Sequence, residues 1–179
     1  YREITEGWIK LDAIHECYPG HHAHYVKTAA GDMPLSFKSI SSMNSLAAPL
    51  TEGIALRSET LLQYIYEDQI FPVFASYRRL QTALRIWVDL LLHHFNEDDE
   101  KAVAKYQKYL DIFSASQAKD QVNFQKLMPG YFTSYYYGLK KLNDIQNKLQ
   151  INDQKFTEII FSCGKISLNT LKKLLSLNK

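Results

Sequence analysis

The chain has 179 residues, a formal net charge of +2, hydrophobic residues at 46% and charged residues at 22%. These are the proportions of one globular domain long enough to bury a real core. The near balance of charge, with lysines scattered along the chain, excludes a polyanion-binding stripe and argues against nucleic acid as a partner. No apolar run nears the roughly 18 residues needed to cross a bilayer, and no signal peptide is visible.

Taken in order, residues 4–18 read as a helix with Ile4, Trp8, Leu11 and Ile14 as its apolar stripe. Gly20 breaks the register, and a helix resumes from His21 to Ala30 before Gly31. Residues 31–50, with Pro34, Pro49 and a serine-rich middle, form a connector with room for a short helix. A helix from 51 to about 67 follows, with Thr51 near its cap, Glu52 in its first turn, and Leu56, Leu62, Ile65 and Tyr66 on it. The longest helix spans roughly 70–95, and its expected buried seam is Val73, Tyr77, Leu80, Leu84, Val88 and Leu91. Asn96 and the acidic cluster 97–100 introduce a helix over about 98–113. Pro129-Gly130 opens another at about 130–149, and short helices follow near 153–162 and 168–177. No alternating strand of useful length occurs, so the expected fold is all-α, with the 179 residues as a single helical domain.

The segment His15-Glu16-Cys17-Tyr18-Pro19-Gly20-His21-His22 carries the clearest chemistry. Neutral imidazole is a good zinc ligand, and an adjacent Glu can take a proton from water activated by the metal. This is the logic of H-E-x-x-H peptidases, but here Pro19 stands where the second histidine would fall. His21 lies six residues after His15, a spacing that misses the same helical face unless the Pro-Gly step bends or rewinds the backbone. Glu52 is the natural candidate for a third ligand. Glu59, seven residues on and on the same face, is placed to accept a hydrogen bond from a ligand imidazole. Plainer readings stand beside these. The histidines could hydrogen-bond in a core, and Glu52 could favour a helix dipole. Asp89 and His93, with Arg85 four residues earlier, could be an i,i+4 ladder, or an Asp-oriented imidazole that stabilises an oxyanion. Tyr135 could simply pack between helices. His24 reads as a surface residue, and Cys17 as a small packed thiol. Arg57 could bind a substrate carboxylate bidentately or simply reach solvent. With only Cys17 and Cys163, no disulfide is inferred.

Four ordered blocks give the chain a resemblance to the bacterial "domain of unknown function 885" family, which looks like a branch of the helical zincin peptidases. The pattern H-E-x-x-P-G-H-H is met at His15, Glu16, Pro19, Gly20, His21 and His22. E-G-W-A-L-Y-x-E is met at Glu52, Gly53, Ala55, Leu56 and Glu59, with Ile54 and Arg57 as departures. D-x-G-x-H is met at Asp89 and His93, with Leu91 in place of glycine. P-G-Q-A-x-S-Y-x-x-G is met at Pro129, Gly130, Ser134, Tyr135 and Gly138, with Tyr131 and Phe132 replacing Gln-Ala.

The resemblance implies a zinc-dependent peptidase in which His15, His21 and Glu52 hold Zn2+ and Glu16 is the general base. Tyr135 and His93 would stabilise the oxyanion, with His22, Glu59 and Asp89 behind them. It further implies that residues 1–179 are the C-terminal catalytic portion of a longer bacterial protein, against which the remainder would pack, with a lean towards the cell envelope. The expected partner is a peptide substrate. The alternatives are a catalytically inactive helical domain that binds a peptide or partner, and a non-peptidase metal hydrolase of amides or esters.

Overall fold

The computed structural model describes residues 5–39, 45–67, 69–110 and 113–177. Among the described residues all regular structure is helical, so the fold is all-α. In chain order the elements are α1 (Glu6–Asp12), a π-helical turn (Ala13–Cys17), α2 (His21–Ala30), α3 (Leu35–Ser39) and α4 (Ala48–Leu61). After a 3₁₀ turn (Gln63–Ile65) come α5 (Phe71–His93), α6 (Asp99–Tyr109) and α7 (Ala115–Leu127). A second 3₁₀ turn (Tyr131–Thr133) leads into α8 (Ser134–Leu149), α9 (Asp153–Ser162) and α10 (Leu168–Leu177). Among the described residues no helix is long and apolar enough to cross a membrane.

The molecule is built around α4. Every residue from Leu50 to Glu59 is buried, polar and charged ones included. Two glycines make this possible. At Gly53, an added Cβ would stand 2.6 Å from the backbone of Gly138, and at Gly138 it would stand 1.9 Å from the carbonyl oxygen of Pro49. The backbones of α4 and α8 therefore touch where they cross, and no side chain fits between them. Leu50 and Ile54 of α4 join Leu142 and Ile145 of α8, Phe156 and Ile160 of α9, and Leu171 of α10 in one apolar core. A second core joins Leu84, Val88 and Leu92 of α5 to Ala102 and Tyr106 of α6 and to Ala118 and Val122 of α7. A third sets Leu11 and Ile14 against Phe71 and Ala75.

Several elements depart from the sequence reading. Helix α4 begins at Ala48, with Pro49 in its first turn, so Thr51 and Glu52 lie a turn inside it. Thr51 is no cap: its hydroxyl donates back to the carbonyls of Ala47 and Ala48. Asp98 caps α6 by accepting from the backbone of Lys101. Helix α7 was not anticipated, although Ser114 and Gln117 form a complete capping box before it. The seam of α5 is rotated from expectation. Val73 and Leu80 are exposed, while Gln81, Thr82, Arg85 and Asp89 are buried. Ile4 lies outside the described residues.

Candidate metal centre

The backbone around the histidine segment explains its unusual spacing. Helix α1 widens into the π-helical turn at Ala13–Cys17, the chain breaks over 18–20, and α2 starts at His21. The amide of Gly20 donates to Ile14 O at 3.0 Å, folding the break back on the π turn. A Cβ at position 20 would stand 1.8 Å from His15 O and 2.3 Å from Ile14 O, so only glycine closes this loop. The result brings the imidazoles of His15 and His21 edge to face, with centroids 4.9 Å apart. Six residues of sequence thus become one contact, by interruption of the helix rather than by its periodicity.

Helix α4 presents two carboxylates to these rings. Glu59 Oε1 lies 2.7 Å from His15 Nδ1, which fixes Nδ1 as the protonated nitrogen and turns Nε2 the other way. Glu52 Oε2 lies 3.6 Å from His15 Nε2 and 3.3 Å from His21 Nε2. It is buried and makes no well-formed hydrogen bond. The exposed carboxylate of Glu16 completes the group: ligand atoms of His15, Glu16 and His21 lie within 4.8 Å of one another.

Electrostatics tie the cluster together. Burial by itself would favour neutral His15, but Glu52 and Glu59 outweigh it and raise the imidazole pKa to about 9. Burial would likewise push Glu52 up, yet His15 and His21 hold it down at about 2. The site is therefore a concentrated, buried charge pair that a cation could reorganise. Its donors, two imidazole nitrogens and one carboxylate oxygen, are the borderline set that zinc takes. Ligands about 2.0–2.1 Å from a tetrahedral ion stand about 3.3–3.4 Å apart, and Glu52 Oε2 lies near that distance from each of the two Nε2 atoms. An oxygen buried without a partner between two imidazoles is what such an ion would satisfy, so the residues fit zinc.

Two tyrosines roof the cluster. The ring of Tyr135 stacks on His15 with centroids 5.8 Å apart, and burial together with Glu52 pushes its phenol up to about 12. Tyr131 donates its hydroxyl to Glu52 Oε1 at 2.9 Å and approaches Tyr135 Oη at 3.4 Å. Tyr131 was not singled out from the sequence. Its position one helical turn before Tyr135, directly after Pro-Gly, was the signal available. Asp89 shapes this roof from below by accepting the amide of Gly130 with both oxygens at 3.2 Å, while Gly130 takes the left-handed conformation at φ 78°. Arg85, buried beneath, places its guanidinium 5.4 Å over Tyr135 and 5.0 Å over Phe132, and donates to Gln121.

Other residues fall elsewhere. His93 Nε2 donates to Gln125 O at 3.1 Å and lies 3.8 Å from Asp89 Oδ1, so its ring is engaged at the end of α5. His22 is exposed. His24 is not a surface residue: it is fully buried against Tyr25 and Phe161, with neither ring nitrogen hydrogen-bonded. The spacing His21, His24, Tyr25, Thr28 marks one helical face, and that face packs on α9. Cys17 is exposed rather than packed. Arg57 neither meets solvent nor points into the cluster. Its guanidinium is buried and donates to Asp153 at 2.6 Å, Gln146 at 2.8 Å and Thr157 at 3.2 Å. It ties α4 to α8 and α9.

Fold and site together define an all-helical domain with a His–His–Glu cluster at its centre. The chain belongs to the DUF885 family, described as bacterial protein of unknown function, whose family model matches residues 9–175. Among solved structures it is similar to a protein provisionally described as a lipoprotein from Colwellia psychrerythraea. The TM-score is 0.81 at 21% identity, covering 97% of this chain and 31% of that one. The likeness is one of fold over the matched part of that protein, and the chain spans under a third of its length. No curated protein matches.

Proposed function

We propose that this chain is the metal-binding, catalytic part of a zinc-dependent peptidase. The observation that carries the reading is Glu52 Oε2, buried and without a hydrogen bond between the Nε2 atoms of His15 and His21. His15, His21 and Glu52 would hold the ion, and Glu59 keeps Nε2 of His15 free for it by taking the proton side of the ring. Zinc held there would supply a Lewis acid and activate water near neutral pH. Glu16, exposed beside the cluster, accepts a proton from water and returns it to the leaving amine. The phenol of Tyr135, held neutral at physiological pH, donates to an oxygen that gains negative charge. The substrate class is a peptide, and the compartment is the bacterial envelope, following the lipoprotein description of the structural neighbour.

A second reading draws on one observation. His15 is raised to about 9 by its two carboxylates, so the same cluster could be a buried ion pair inside a non-catalytic helical binding domain. Metal analysis of the purified chain separates the two. The zinc reading expects about one zinc per chain, lost in His15→Ala and in His21→Ala and largely retained in His22→Ala. Retention in His21→Ala with loss in His22→Ala would reverse the ligand assignment. Absence of metal from the wild-type chain, even after zinc is added, would favour the ion pair.

A further inference from the structure

Ordinary carboxylate ligands offer two equivalent oxygens, and an ion can take one or both. Glu52 does not offer both. Its Oε1 accepts the hydroxyl of Tyr131 at 2.9 Å, while Oε2 is left bare between the two imidazoles. We propose that Tyr131 is a positioning residue for the metal centre: by occupying Oε1 it commits Glu52 to bind through Oε2 alone. The inference rests on the zinc reading given above.

Three features of the structure hold Tyr131 to this task. Gly130, immediately before it, adopts φ 78°, a conformation that L side chains rarely take, and its amide is gripped by both oxygens of Asp89. Asp89 sits on α5, the longest helix, so the turn that launches Tyr131 is anchored to the body of the molecule. The ring is then packed edge-on against Phe132 and Tyr135, with centroids 5.2 and 5.8 Å away. A one-oxygen ligand keeps the coordination number low and leaves a position for water or substrate. A carboxylate free to chelate would take that position. Tyr131 thus acts through Glu52 and needs no contact with substrate.

The test uses Tyr131→Phe, which keeps the ring and removes one oxygen, alongside Tyr137→Phe at an exposed position of α8. Zinc affinity is measured by competition with a chromogenic chelator. Coordination is read from the visible absorption of the cobalt(II)-loaded chain, which weakens as coordination number rises from four. Tyr131→Phe should lose about 10–100-fold in zinc affinity, the usual effect of removing a group that orients a ligand, and its cobalt band should weaken. Tyr137→Phe should keep the wild-type cobalt spectrum, and circular dichroism should show both variants helical. Wild-type affinity and spectrum in Tyr131→Phe would overturn the inference while leaving the zinc reading intact. Weaker binding with an unchanged cobalt spectrum would also overturn it, since that is what a merely structural role predicts. A wild-type chain that binds neither zinc nor cobalt would remove the zinc reading and this inference with it.

Discussion

His15 and Glu16 are adjacent in sequence yet meet different surroundings, one buried between carboxylates and the other exposed beside them. That separation assigns them different tasks. If Glu16 moves the proton, Glu16→Gln keeps size and shape but cannot accept it. Zinc content should stay near wild type while peptide hydrolysis falls at least ~100-fold. Loss of zinc comparable to His15→Ala would instead make Glu16 a ligand. His24 gives a prediction about stability. Burial, reinforced by the neighbouring charges of His21 and Lys165, lowers its pKa from 6.5 to about 4. Between those values the unfolded chain takes up a proton that the folded chain refuses. The stability that His24 contributes is therefore complete above about pH 6.5 and declines as pH falls towards 4, by on the order of 3 kcal/mol. His15 acts in a different window: its folded pKa is raised, so its contribution is lost as pH climbs through 9. Denaturant midpoints measured from pH 7 to 4.5 should fall for the wild type and flatten for His24→Phe. Equal slopes in the two proteins would mean that His24 is protonated in the folded state.

At the level of elements, the crossing of α4 and α8 holds the site in place, because α4 carries Glu52 and Glu59 while α8 carries Tyr135. The crossing depends on absent side chains. Gly138→Ala sets a methyl 1.9 Å from a backbone oxygen that has no rotamer to escape into. It should destabilise by about 3 kcal/mol or more, at the upper end for overpacking. Gly130→Ala is the matched control: nothing lies within 4 Å of the added atom, and only the left-handed backbone opposes it. That substitution should cost about 1–2 kcal/mol. Chemical denaturation of both variants checks the order, and a larger loss in Gly130→Ala would show that α8 can shift away from α4. The polar stripe of α5 belongs to the same design. Arg85 and Asp89 are buried because they meet Gln121, the Gly130 turn and the aromatic roof, and the apolar residues Val73 and Leu80 are left facing outward.

In the whole molecule, metal binding and folding should be coupled. The three proposed donors come from the π-helical turn, α2 and α4, and no unfolded chain holds them together, so zinc would bind the folded state preferentially. At free zinc one hundred times its Kd the gain is about 2.7 kcal/mol, which raises the Tm of a chain this size by about 5–10 °C. A chelator should reverse the shift, and His21→Ala should abolish it. A Tm indifferent to zinc in the wild type would contradict a centre formed by folding.

Much of this molecule was readable in one dimension. Helix α2 and the last two helices follow from periodicity and from glycine and proline punctuation, signals that are local to each segment. The cluster of His15, His21, Glu52 and Glu59 was approachable because residue chemistry and order survive in a motif. Tertiary structure decided what local signals do not encode. Periodicity reports which face of α5 is apolar, but burial followed its hydrogen-bonding partners, supplied by residues more than thirty positions away. The same holds for His24, which looks like one more polar residue in a histidine-rich run until α9 closes over it. It holds for Arg57 too, which reads as a solvent-seeking cation until Asp153, Gln146 and Thr157 assemble around it. Tyr131 reaches Glu52 across 79 residues. Such partnerships depend on how helices cross, and here two glycines, at 53 and 138, set that crossing by allowing backbone to touch backbone.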